Sequence, residues 1–125
     1  MMKREYRYPI NKITLELPGG TFDHNSEDPL AAAKRELLEE TGLSSDDWIN
    51  FGEFYDYPTK DSHKMYLLLA NDCKKTAEPL NNPQEEITLQ KININKLSGL
   101  LENNEIQVTG SIACIVKALI HLNIK

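Results

Sequence analysis

Apolar and polar positions alternate along Ile13-Thr14-Leu15-Glu16-Leu17, the period of a strand with one face buried. Pro18-Gly19-Gly20 stops the run, and a polar loop over residues 21–27 follows. From Asp28 the period changes. Leu30, Ala33 and Leu37 recur at helical spacing, Asp28 is a good N-cap, and Pro29 suits the first helical position. Gly42 supplies the left-handed residue that ends many helices, so the pattern predicts a helix running to about Glu40. Residues 48–57 and 64–70 read as strands separated by a turn at 58–62, and a loop rich in Asn, Pro and Lys spans 71–83. Residues 86–94 form a further strand candidate. Residues 96–101 predict a short helix capped by Asn95, and residues 111–122 a final helix with Ile112, Ile115, Leu119 and Leu122 on one face. The expectation is one mixed α and β domain over residues 1–125, without internal repeat or linker.

Composition narrows the function classes. With 40% hydrophobic and 26% charged residues, the chain of 125 residues is of globular type. A net charge of −5 argues against a broad nucleic-acid surface, yet leaves a small anionic ligand open, because bound cations invert local charge. The longest apolar run, residues 65–70, is far short of a membrane span, and the basic start lacks the apolar stretch of a secretory signal. Cys73 and Cys114, with no CxxC pair, read as buried free thiols, and the chain is expected in the cytoplasm. His24, His63 and His121 lack zinc-like spacing and read as surface residues. Trp48, Phe51, Phe54, Tyr55 and Tyr57 include candidates for base stacking, but most read as core or strand-face packing.

The chemistry concentrates in EDPLAAAKRELLEETGL, residues 27–43. At about 100° per residue, Glu36, Glu39 and Glu40 fall within roughly a 100° arc of the helix. Three carboxylates so close repel one another, and oxygen clusters of this kind suit hard divalent cations such as Mg²⁺. Arg35, four residues before Glu39, is placed to brace that carboxylate. Taken alone, the same cluster also describes a solvated acidic face.

These residues resemble the Nudix box, G-x5-E-x7-R-E-U-x-E-E-x-G-U with U aliphatic. Glu27 precedes Arg35 at the required spacing, and Arg35-Glu36-Leu37-Leu38-Glu39-Glu40-Thr41-Gly42-Leu43 fills the remainder without a mismatch. One departure is the loop, where six residues rather than five separate Gly20 from Glu27. The resemblance implies a Nudix-type α/β/α sandwich around a mixed β-sheet. It also implies a Mg²⁺-dependent hydrolase, with Mn²⁺ able to substitute, acting on a small nucleotide. By it, Glu36, Glu40 and the Gly19 carbonyl are metal ligands, and Glu39 is a further ligand or the general base. Glu27, Arg35, Gly20 and Gly42 are structural members of the box. A distant acid usual in the family is matched by Glu85, with Glu86 its near neighbour.

Outside the box, Arg4-Glu5-Tyr6-Arg7-Tyr8-Pro9 is similar to the QYR-type strand of the ADP-ribose and nucleotide-sugar pyrophosphatase branch, with Glu5 where Gln is usual. Glu16-Leu17-Pro18-Gly19-Gly20 resembles the ELPAG segment of that branch. The resemblance implies that Arg7 contacts a phosphate or the adenosine part, supported by Tyr6. The expected reaction is cleavage of ADP-ribose or another ADP-sugar to AMP and a sugar phosphate. The alternatives are a hydrolase of (d)NTPs or dinucleoside polyphosphates, or a silent Nudix module binding a nucleotide or protein. Relatives of this branch carry an apolar strand before the Tyr-Arg strand, whereas Met1–Glu5 alone precede Tyr6 here. A sheet without that strand would expose an edge, so the chain is expected to form a homodimer.

Overall fold

The computed structural model describes residues 1–20, 27–80 and 87–125. It places the chain in two compact units, Met1–Pro18 with Asn81–Lys125, and Gly19–Leu80.

The first unit is built on a three-stranded antiparallel sheet. Strand β1 (Met2–Arg7) is its middle strand, between β2 (Lys12–Glu16) and β7 (Ile87–Gln90). A 3-10 turn, Tyr8–Ile10, and left-handed Asn11 reverse the chain so that Lys3 pairs with Glu16 and Arg7 with Lys12. On the other side Met2 pairs with Gln90 and Glu5 with Ile87. Helices α2 (Leu97–Glu102) and α3 (Thr109–His121) complete this unit. Met2, Leu15, Ile106, Ile115 and Leu119 form its core, with Leu97, Leu100 and Ile112 packed around them. The hydroxyl of buried Ser111 accepts the Leu17 amide at 2.9 Å, fixing the end of β2 against α3.

The strand expected from residue 13 onward is present, but its burial does not alternate, and the consecutive residues Thr14, Leu15 and Glu16 are all buried. Thr14 and Glu16 are buried while Ile13 is exposed. Lys3, Glu5 and Arg7 share a face with Thr14 and Glu16, so this face of the sheet buries a network of paired charges. The short helix also differs from expectation. Asn93 rather than Asn95 supplies the cap, its side chain accepting the Asn95 amide at 2.9 Å, and a 3-10 turn at Ile94–Lys96 leads into α2.

The second unit holds α1 (Pro29–Thr41), the pair β3 (Leu43–Ser44) and β6 (Lys74–Lys75), and the hairpin of β4 (Asp47–Tyr55) with β5 (Lys64–Asn71). The expected cap of α1 is present: the Asp28 carboxylate accepts the Leu30 and Ala31 amides at 2.9 and 3.2 Å. Gly42 closes the helix at φ +75°, donating its amide to the Leu38 carbonyl. The predicted stripe of Leu30, Ala33 and Leu37 is half-buried, and the deeply buried residues are Ala32 and Thr41. Within the hairpin, Phe51 is an extra residue, since Asn50 faces Leu68 and Gly52 faces Leu67. The segment read as a plain loop after β5 contains β6 and then lies along the end of α1. Thr76 and Ala77 donate to the Gly42 carbonyl and Leu80 to the Glu39 carbonyl, which satisfies groups that a helix end leaves unpaired.

Every strand pairing described is antiparallel. Cys73, expected to be buried, is exposed in the turn after β5, whereas Cys114 is buried in α3. No helix among the described residues is long and apolar enough to cross a membrane.

Candidate active site

The acidic helix and the glycine turn form one local structure within the second unit. Glu36 and Glu40, one turn apart on α1, both face the backbone of Gly19-Gly20. The Gly19 amide donates to Glu40 Oε2 at 2.9 Å. At Gly20 a Cβ would lie 2.5 Å from Glu36 Oε1, so glycine lets the chain pass this close without displacing the carboxylate. The two glycines that end the Leu15–Leu17 run therefore act as the seat for two carboxylates of the helix.

Arg35 offsets the repulsion expected between two of the three acids, Glu36 and Glu39. Its Nε and NH2 donate to the two oxygens of Glu27 at 2.9 and 3.0 Å, a two-point pairing that ties the residue before the N-cap to the middle of the helix. Its NH1 reaches Glu36 Oε1 at 3.0 Å and Glu39 Oε2 at 3.3 Å. One guanidinium thus holds Glu27, Glu36 and Glu39. The Arg35 fork holds the Glu27 carboxyl below its ordinary pKa, and Glu27 foremost pushes that of Arg35 upward. Gly42 is fixed for a different reason, since a Cβ there would overlap the Ala77 carbonyl.

Glu36 and Glu40 offer hard oxygen donors from one helical turn, the chemistry that a divalent cation such as Mg²⁺ favours. Among the described residues no three His, Cys, Asp or Glu side chains stand together as a ready ligand set. Glu85, Glu86 and His24 lie outside the described residues. His63 and His121 are exposed, as expected.

Tyr6 and Arg7 belong to β1 in the first unit. The Tyr6 hydroxyl donates to Asn11 Oδ1, and its ring meets Tyr8 edge-on at 4.7 Å. Arg7 pairs with Glu16 through Nε (3.0 Å) and NH2, and with Glu5 through NH1. Glu5 and Glu16 were not singled out from the sequence as site residues. Period-two spacing of Glu5 and Arg7 was a usable signal, but the partner position of Glu16 required the strand register.

The sequence matches the NUDIX domain over residues 1–109 of 125. The chain belongs to the NUDIX family. It is 24% identical over 107 residues to the ADP-ribose pyrophosphatase of Bacillus subtilis (strain 168), covering 85% of this chain and 57% of that protein. A solved ADP compounds hydrolase superposes with a TM-score of 0.85 at 23% identity, over 98% of this chain and 65% of that one. A MutT structure from work on Aliivibrio salmonicida and Vibrio cholerae gives 0.53 at 21% identity, over 78% of this NUDIX chain and 71% of its own. The chain thus spans about three-fifths of the length of the first two relatives. These likenesses establish the NUDIX fold.

Proposed function

We propose that residues 1–125 act as a single NUDIX hydrolase domain that cleaves the diphosphate of ADP-ribose or another ADP-sugar, giving AMP and a sugar phosphate. The observation that carries this reading is the Gly19-Gly20 turn seated against Glu36 and Glu40. The name of the Bacillus subtilis relative and of the solved ADP compounds hydrolase supports the substrate class, as do the Tyr6-Arg7 and Glu16–Gly20 matches.

In this reading Glu36 and Glu40, with the Gly19 carbonyl, hold Mg²⁺, for which Mn²⁺ can substitute. When bound, the cation screens the diphosphate oxygens, polarises the P–O bond and lowers the pKa of the attacking water. Glu39 accepts the proton of that water, or serves as a further ligand, with Glu85 the second candidate for the base. Arg35 holds Glu36 and Glu39 in place, so that neither carboxylate has to be ordered when substrate arrives. Arg7, with Tyr6 behind it, contacts a phosphate or the adenosine part. Both cysteines are free thiols, in keeping with a reducing cytoplasm. The proposed assembly is a homodimer.

The test is a panel of ADP-ribose, NADH, a nucleotide sugar and dNTPs with Mg²⁺, with products identified. AMP and a sugar phosphate from ADP-ribose at the highest kcat/KM are expected. A clear preference for a dNTP would overturn the substrate choice, and no turnover of any member would favour a silent binding module.

A further inference from the structure

The first unit contains an ion network that the hydrolytic residues do not use. Lys3, Glu5 and Arg7 from β1 and Thr14 and Glu16 from β2 lie on one face of the sheet. Lys3 Nζ donates to Glu5 Oε1 at 3.1 Å, and the Thr14 hydroxyl donates to Glu16. Glu16 takes the Arg7 Nε at 3.0 Å on one oxygen and the NH2 on the other, while Glu5 takes NH1. Exposure across this network is uneven. The side chain of Glu16 is 5% exposed and that of Glu5 13%, but that of Arg7 is 43% exposed. A buried carboxylate, Glu16, and a part-buried one, Glu5, thus hold a guanidinium whose rim reaches solvent.

A pair of this kind costs desolvation energy, and a well-packed apolar substitute is often no worse for stability. What the two-point pairing supplies is orientation, because it fixes the plane of the fork. Lys12 also stands on this face, paired in register with Arg7. An approaching anion meets a guanidinium whose fork is held in a set direction, and that direction decides how well it binds.

We propose that Glu16 is a positioning residue for ligand recognition, holding the Arg7 guanidinium in the orientation that receives the diphosphate of a nucleotide. This rests on the reading of Arg7 as a substrate contact given above. Glu16 touches no ligand itself; it acts through Arg7, and Thr14 in turn holds Glu16.

The experiment is calorimetric titration of ADP with Mg²⁺ into wild type, Arg7→Ala, Glu16→Gln, the double variant and Arg7→Lys, with thermal unfolding of each. Each single variant should bind ADP about tenfold more weakly, the scale of one charge-assisted hydrogen bond. The double variant should bind no worse than Arg7→Ala, because Glu16 has nothing to position once Arg7 is gone. Arg7→Lys keeps the charge but not the fork, and should bind as weakly as Arg7→Ala. It keeps a cation beside Glu16 and Glu5 and leaves both carboxylates in place, so it tests the need for an oriented fork even if Glu16→Gln fails to fold. Wild-type affinity in Glu16→Gln or in Arg7→Lys overturns the proposal, as does a double variant that loses the sum of the two single effects. Wild type that binds ADP but does not hydrolyse ADP-ribose removes the proposed activity and leaves the binding cycle to decide this role. Wild type that does not bind ADP removes both.

Discussion

Gly20 shows how closely a single residue ties the turn to the acidic helix. A Cβ there would intrude on Glu36 Oε1 at 2.5 Å, and the obstructing atom is the end of a flexible side chain rather than backbone. Gly20→Ala should therefore leave stability within about 0.5 kcal/mol of wild type. It should lower kcat, because the Glu36 carboxylate has to move away; urea unfolding alongside steady-state kinetics separates the two effects. Glu16 gives a prediction in pH. Burial pushes its carboxyl up, but the Arg7 guanidinium and the Thr14 hydroxyl more than offset this, so its pKa lies below the ordinary value of 4.5. A carboxyl depressed by folding contributes its stability in full above about that value and loses it as pH falls through the folded pKa. The thermal midpoint should therefore fall on acidification below about pH 4.5, and Glu16→Gln should flatten part of that acid limb while lowering the midpoint at pH 7. An acid limb identical in the two proteins would show that the pairing is not retained in solution. At this scale the box residues were legible because their spacing is local to one helix. Glu5 and Glu16 were not, since their meeting with Arg7 depends on how β1 and β2 align.

Helix α1 was legible almost end to end, because its start and stop are written in single residues with local physical roles. Asp28 caps it, Pro29 opens it and left-handed Gly42 ends it. What lies against its C-terminal end was not legible: the 76–80 segment reads as loop and acquires its place only by donating to the Gly42 and Glu39 carbonyls. For the same reason β6 went unseen, as two lysines gain a strand geometry only from pairing with Leu43-Ser44. The two helix ends should respond differently to substitution. Asp28→Ala removes one cap and should cost about 1 kcal/mol. Gly42→Ala faces both a positive φ and the Ala77 carbonyl, which is backbone and cannot swing aside, so it should cost about 2 kcal/mol or more. Equal losses in urea unfolding would contradict this ordering.

At the scale of the whole molecule, the division into two units was hidden because the first is assembled from both ends of the chain, Met1–Pro18 and Asn81–Lys125. Pairing of β1 with β7, over 80 residues apart in sequence, has no local signal. The first unit also displays apolar side chains at the turn and edge next to β1: Tyr8 is 74% exposed, Ile10 59% and Ile13 62%. The homodimer proposed above would cover such a margin, and light scattering after size exclusion at micromolar concentration should return twice the 14.3 kDa of one chain. A stable monomer would remove the dimer and leave the chemistry standing. Glu40, seated on the Gly19 amide, is proposed above as part of a metal-dependent diphosphate hydrolase. The most direct measurement is AMP formation from ADP-ribose with Mg²⁺, compared between wild type and Glu40→Gln of equal thermal stability. Wild type should give stoichiometric AMP and sugar phosphate, and Glu40→Gln a rate lower by several orders of magnitude. A folded Glu40→Gln with a near-wild-type rate would contradict this role.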